Sequence, residues 1–473
     1  MFNNFINGIK SVFTLINICF FISDLKSKKT DRPYIRTLKE KIINGGCLSI
    51  KFTQWMMSHI LSMSETDEEN AILIEEFEGI FDQCPYHSID YTKELIKEEY
   101  KMELEELFDG DFEPIASGSI GQIYKSKLKN GDVVAIKVKH PDIENNLKYQ
   151  IKFVYLIKML QNISYFRNKY KLFFNFNDFI ENLQCQLDFN YEVRNNNRFI
   201  DNYRNCNYIK FPKVYSNTQN IIISEYVDGV FINELDEYNK NQAIINLLCY
   251  VEHMLFVDNF IHGDLHIKNW KVRSIPSSSN PKVEDYQLII YDCGICFESK
   301  SIELNSKLYY GFAMCDSDAV VSSINDCLNS PMSEEMATEI KGFVNNFDQY
   351  QSPVSQGIKN IIRLFSQKYC ILDKNFLDLL IFFLLTEDII KKNDMLCGVY
   401  TDCSNEDLEI DKMINLLTFC KIKKTYPKLQ EYLTEKLSSN TFKQTGVFSL
   451  LKSSDINFPS IDDIDSEEED ESD

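Results

Sequence analysis

His262-Gly263-Asp264-Leu265-His266-Ile267-Lys268-Asn269, followed by Ile289-Ile290-Tyr291-Asp292-Cys293-Gly294, is the stretch on which the fold of this 473-residue chain turns. An Asp with an Asn five positions later, then an apolar strand-like run ending in Asp-x-Gly, is the arrangement that phosphoryl-transfer sites use. One carboxylate, here Asp264, orients or deprotonates an acceptor. Asn269 and Asp292 then supply oxygen ligands of the kind a hard cation such as Mg2+ takes while keeping several of its own waters. Either half alone is a short string. Their order and spacing together make the pattern specific.

The rest of a nucleotide site lies upstream. Ile115-Ala116-Ser117-Gly118-Ser119-Ile120-Gly121-Gln122-Ile123 is a small-residue turn running into an alternating apolar segment. Small side chains let backbone N–H groups approach phosphate oxygens. After the Asn130-Gly131 hairpin signal comes Val133-Val134-Ala135-Ile136-Lys137-Val138, a β-branched strand carrying one Lys. It matches the strand that sets an ammonium on the α- and β-phosphates of ATP. Such a Lys needs an acidic partner, and Glu192 is the candidate. The end of an Ile-rich strand over 220–226, with Glu225 and Tyr226, resembles a kinase hinge, where backbone groups would meet adenine.

Together these residues resemble the UbiB/ADCK family of atypical kinases. The loop reads Ala-Ser-Gly-Ser-Ile-Gly-Gln in place of G-x-G-x-x-G, and the catalytic loop reads H-G-D-x-H in place of H-R-D-x-K. Gln186-Leu187-Asp188, with Asn195 to Phe199 downstream, resembles the family's ExD helix with its N-x-x-R-F ending. Lys51-Phe52-Thr53-Gln54 stands where the family carries K-x-G-Q. The resemblance implies an α+β, bilobal protein kinase-like fold with a helical N-terminal extension and a mostly helical C-lobe. It also implies ATP and Mg2+ as cofactors, and Lys51, Gln54, Gln186 and Asp188 as gating residues over the cleft. Thr53 replaces the motif Gly, and Gln186 replaces the Glu expected opposite Lys51. A helix that covers the cleft less firmly is the expectation. Cys293 replaces the Phe of D-F-G, and Ile267-Lys268 replaces a Pro-Gly pair.

The same patterns divide the chain. Residues 1–30 form an apolar segment, 31–108 a helical extension, 109–228 an N-lobe, 229–451 a C-lobe and 452–473 an acidic tail expected to be disordered. Amphipathic helices are read over Tyr34 to Leu61, Ala71 to Phe81 and Thr92 to Phe108, with further helices around 142–165 and 175–202. Strands are read over 122–128 and 133–139. Ser274 to Asp285 reads as an inserted loop. Val12 to Ile22 is about half the length of a membrane span, so a buried or membrane-surface helix is expected there. Phe376 to Leu385 reads as a C-lobe core helix.

Composition narrows the function. Of the net charge of −21, nine carboxylates lie within residues 461–473, and the acidic balance argues against nucleic acid as a partner. Fourteen scattered cysteines form neither a secreted disulfide framework nor a paired zinc set. Cys293 and Cys296 overlap the Asp-x-Gly turn, so thioredoxin-like chemistry is not favoured. An intracellular location with peripheral membrane or lipid contact is expected. No Ala-Pro-Glu follows Asp292, so the peptide-binding floor of ordinary protein kinases is not encoded in that form. The reading is an ATP-dependent kinase or ATPase, with a lipid or isoprenoid-quinone context implied by the family. A nucleotide-binding pseudokinase scaffold and a true Ser/Thr protein kinase stay as alternatives.

Overall fold

The computed structural model describes residues 31–63, 84–145, 176–276, 284–313, 316–328, 331–345, 353–368 and 373–392, with a few single positions between them. Residues 1–30, most of the helix expected over 142–165, and the tail 452–473 lie outside the described residues.

The extension begins with α1 (Arg32–Asn44) and α2 (Gly46–Met63), where the pattern over 34–61 suggests one helix. Pro33 occupies the first turn, and the Asp31 carboxylate accepts from the Tyr34 N–H, the usual chemistry of a helix start. The break comes at Gly46, whose φ of +74° is a region side chains avoid. Next come α3 (Ile89–Tyr100), capped by Ser88, and the single turn α4 (Leu104–Leu107). The helix expected over 92–108 therefore stops at Tyr100, followed by Lys101 in the left-handed region.

Phe108 instead opens β1 (Phe108–Ser117), a bulged edge strand that the sequence reading lacks. β2 (Gly121–Leu128) and β3 (Val133–Lys139) follow as expected. The 175–202 helix is two, α5 (Phe176–Leu187) and α6 (Phe189–Asn202), separated at Asp188. β4 (Ile209–Lys210), β5 (Val214–Asn217) and β6 (Ile221–Glu225) complete the N-lobe strands. Five of these form an antiparallel sheet in the order β1-β2-β3-β6-β5. Side chains alternate across a strand. Val134, Ile136 and Val138 bury against Tyr124, Ile221, Ile223 and Ile96 of α3, which leaves Lys137 on the opposite face.

The C-lobe starts with α7 (Glu237–His253), which runs into a π turn at Met254–Asp258. Four strands lie within this mostly helical lobe, β9 being the strand-like run expected before Asp292: β7 (Ile261–His262), β8 (Trp270–Pro276), β9 (Glu284–Ile290) and β10 (Cys296–Phe297). β8 and β9 pair from Trp270↔Ile290 to Pro276↔Glu284, so the ends of the loop expected over 274–285 are strand. β10 pairs Cys296 with His262, clamping the two motif loops together. Helices α8 (Ile302–Ala313), α9 (Ser317–Asn325), α10 (Glu334–Asn345), α11 (Pro353–Gln367) and α12 (Lys374–Lys392) follow among the described residues. Phe376, Leu379, Leu380 and Phe382 of α12 are buried, so this apolar run is core. No helix among the described residues is long and apolar enough to cross a membrane.

Candidate active site

Lys137 projects from β3 into a cleft between the lobes. Its Nζ donates to Glu192 Oε1 at 2.9 Å and Oε2 at 2.7 Å, and lies 3.6 Å from Asp292 Oδ1. Glu192 reaches it from the first turn of α6. Only 20% of the Lys137 side chain and 14% of Glu192 remain exposed. Burial opposes the Lys137 charge, but Asp292 and Glu192 outweigh it and hold the ammonium above its ordinary range. Burial likewise opposes ionisation of Asp292, yet Lys137 and Lys51 hold that carboxyl below the usual carboxylate range.

The Asp-x-Gly turn is tightly built. Asp292 has a φ of +51°, and its Oδ1 accepts from the Gly294 N–H at 3.3 Å. A Cβ at Gly294 would sit 3.0 Å from that oxygen, so any side chain there would crowd the Asp292 carboxylate. Asn195 Nδ2 donates to Cys293 O at 2.9 Å, tying the turn to α6. The Cys293 thiol is buried, and burial pushes it well above the ordinary range, which suits packing rather than redox chemistry.

The facing loop is held just as firmly. His262 Nε2 donates to Tyr291 O at 3.0 Å, while its Nδ1 accepts from the Asp264 N–H at 3.3 Å. One imidazole thus joins the two motif loops. Asn269 Nδ2 donates to Asp264 O at 2.8 Å, leaving its amide Oδ1 as the atom for a ligand. Asn269 Oδ1 and the Asp292 carboxylate are oxygen donors on opposing loops, a set that fits a hard divalent cation completed by phosphate and water.

Ile115, Ala116, Gly118, Ser119, Ile120, Gly121 and Ile123 line the cleft, whose volume is about 560 Å³. That size suits a small-molecule site. A Cβ at Gly121 would come within 2.9 Å of Val138 O, so only glycine permits the close strand approach there. Ser117 and Gln122 correct the expectation of a whole-loop contact. Both are about 1% exposed and turn to the back of the loop, because alternate strand positions face opposite sides. Ser117 Oγ meets Pro85 O at 3.3 Å, and Gln122 Oε1 accepts from the His87 N–H at 2.8 Å.

Glu225 and Tyr226 also line the cleft. The Glu225 carboxylate itself turns to Lys210 Nζ at 2.7 Å and to the Lys213 N–H at 3.2 Å. The Tyr226 N–H donates to Val133 O, so that donor is taken up within the sheet.

The extension supplies the remaining wall. Lys51 and Gln54 of α2, and Gln186 at the end of α5, line the same cleft. Gln186 sits beside Gly294, Cγ lying 3.7 Å from where a Cβ there would be. Thr53 does not intrude. It is 3% exposed, and its Oγ1 donates to Ser49 O at 2.8 Å within the packed face of α2. Phe52 beside it packs edge-on against Phe179 at 5.3 Å, and burying such a side chain contributes about 1.5–3 kcal/mol. Asp188, expected among the gating residues, caps α6 instead. Its Oδ1 accepts from Asn190 N–H and Nδ2 at 3.0 and 2.9 Å.

Sequence reasoning gave no role to Asn195, Asn196, His266, Lys268 or Lys271. Asn195 tethers the Asp-x-Gly turn, and the other four line the cleft. The N-x-x-R-F string contains both asparagines, so a signal existed for those two. A second cavity of about 320 Å³, walled by Lys300, Asp326 and Asp373, gathers none of the motif residues.

The sequence profile of the ABC1 atypical kinase-like domain matches residues 79–323. The chain is similar to the probable serine/threonine-protein kinase abkC of Dictyostelium discoideum, with 32% identity over 54% of this chain and 37% of that protein. It is similar to AarF domain-containing kinase 1 of Drosophila melanogaster, with 26% identity over 47% of this chain and 43% of the relative. The chain thus aligns with less than half the length of these two relatives. Among solved structures, the Rv3197–erythromycin complex from Mycobacterium tuberculosis aligns over 66% of this chain and 80% of its own, at 18% identity and a TM-score of 0.45. The profile match, together with the architecture described above, carries the family assignment.

Proposed function

The chain belongs to the ABC1 (UbiB/ADCK) family of atypical kinases, and on that premise we propose that its cleft binds magnesium-ATP and transfers or hydrolyses the γ-phosphoryl group. The observation that carries the reading is the convergence on Lys137. Its ammonium is fixed by Glu192 and Asp292, in the same cleft that Asp264 and Asn269 line.

In this reading the 115–123 turn offers backbone N–H groups to the phosphates, and Lys137 balances their charge. Asn269 and Asp292 would hold Mg2+, which when bound would supply positive charge against the phosphates. Asp264, its backbone pinned by His262 and Asn269, orients the acceptor hydroxyl or water and takes its proton. Lys51 and Gln54 cover the side from which an acceptor enters. A lipid or isoprenoid-quinone acceptor, and an intracellular setting at a membrane surface, are proposed on the family resemblance.

Thermal stabilisation by magnesium-ATP tests the site. Ligand at about 100 times its Kd stabilises by about 2.7 kcal/mol. The wild type should gain a clear rise in Tm that Asp292→Asn loses. Equal stabilisation of both proteins would refute the metal and nucleotide assignment. Turnover with liposomes, with a generic protein acceptor and with neither then separates lipid kinase, protein kinase and ATPase chemistry.

A further inference from the structure

The back of the nucleotide turn is held by polar groups that the chemistry above does not use. Ser117 O accepts from the Cys84 N–H, and Ile120 O from the His140 N–H, each at 2.9 Å. His140 Nε2 lies 3.0 Å from Gly118 O. Its Nδ1 lies 2.7 Å from Nδ1 of His87, whose Nε2 is 2.8 Å from Thr92 Oγ1. Thr92 Oγ1 in turn lies 2.8 Å from the Tyr124 hydroxyl.

A carbonyl oxygen only accepts, and this fixes every proton along the line. His140 Nε2–H donates to Gly118 O, so a neutral His140 must accept at Nδ1. His87 therefore donates from Nδ1 and accepts at Nε2. Thr92 donates to it, and Tyr124 donates to Thr92. Thr92 and Tyr124 are 0% and 1% exposed, so no solvent replaces these bonds.

We propose that this directed relay makes His87 and His140 positioning residues for the nucleotide turn, through which segment 84–92 of the extension holds the turn against the cleft. Its consequence for ligand affinity rests on the nucleotide-binding reading; the tether itself does not. The relay needs at least one neutral imidazole, since two charged rings would set two Nδ1–H groups against each other. Burial and the neighbouring ring push His87 down to about 4, and burial also lowers His140. The titratable and charged groups around the pair are Tyr91, edge-on to His87 at 5.1 Å, and Tyr124. Beyond Tyr91 lie Asp142, Glu98 and Glu99, which bear on that phenol. Because the folded values are depressed, the tether is at full strength above the ordinary histidine value of about 6.5. It weakens as pH falls from there toward the folded values.

Hydrogen-exchange protection of residues 115–121, measured on the full chain without nucleotide, tests this. His87→Ala should lower protection at least about tenfold, the scale of one buried hydrogen bond. His140→Gln keeps one donor and one acceptor without a titrating ring. It should preserve protection near pH 7.5 and flatten its decline toward about pH 5.5. The wild type alone should show that decline, a readout that does not depend on a variant's folding. Unchanged protection in a cooperatively folding His87→Ala, or a flat wild-type profile, overturns the relay. In parallel, ADP affinity should weaken several-fold in His87→Ala. If the wild type binds no nucleotide while protection responds as stated, the nucleotide reading fails and the tether stands.

Discussion

Two lysines face the same cleft and are held in opposite ways. Lys137 rises from the middle of a five-stranded sheet and is locked by Glu192, with Asp292 close by. Lys51 stands on a helix of the extension and forms no ion pair among the described residues. It acts on Asp292 and Glu192 only through its field. The neutral Gln186 occupies the neighbouring wall. A cation fixed by short contacts in a half-dry site has a defined position, while one acting at a distance supplies potential without geometry. The first suits phosphate positioning, the second attraction and gating.

The largest effect should come from the chemistry that Lys137's side of the comparison serves. Asp264→Asn is expected to lower magnesium-ATP turnover by about 10²–10⁴-fold, the range for acid–base residues, with nucleotide affinity nearly intact. Comparable turnover in the two proteins would remove Asp264 as the base.

The locked lysine itself is next. Lys137→Met leaves Glu192 buried without its partner and should cost about 3–5 kcal/mol in chemical denaturation, whereas adding Glu192→Leu should recover a large part. Additive losses would mean that the pair is not a unit. Lys137's contribution is present below the ordinary lysine value and lost only as pH rises through its raised folded value. That of Asp292 is present above the ordinary aspartate value and lost as pH falls through its depressed one. The charges of Lys137 and Asp292 should therefore hold constant between about pH 5 and 9, whereas burial raises the Glu192 carboxyl above its ordinary value and the histidine tether behind the loop titrates.

The smallest effect probes Lys51. Gln186→Glu supplies a carboxylate on the wall that Lys51 shares, and a partly exposed pair of this kind contributes about 0–1 kcal/mol. Exchange at residues 46–54 should slow by up to about fivefold, with slower access to the cleft. No change in exchange or turnover would make Lys51 a plain surface charge and end the gating reading.

Much of this was legible in the chain. The β-branched runs over 133–139 and 221–225 and the Asp–Asn–Asp spacing carry their own geometry, because strand period and loop length place those side chains. β1 was not legible. Pro114, two register shifts and a mostly exposed acidic stretch erase the alternation that marks a strand. The breaks at Gly46 and Asp188 carry local signals, a glycine and a capping aspartate, that the longer helical periodicity overrode. His87 and His140 are 53 positions apart, and no spacing rule connects them. Only the docking of α3 onto the outer face of the sheet brings them together.

Helix α2 packs on α5 in the N-lobe and on α11 and α12 in the C-lobe. A rigid rod seated on both halves of a hinged body acts as a strut, so any opening of the mouth must slide it along one seat or the other. Under the proposed function, release of spent nucleotide would then involve shearing a packed apolar seam as well as flexing the 225–229 connection. The clock of such a cycle would be a property of the extension as much as of the lobes.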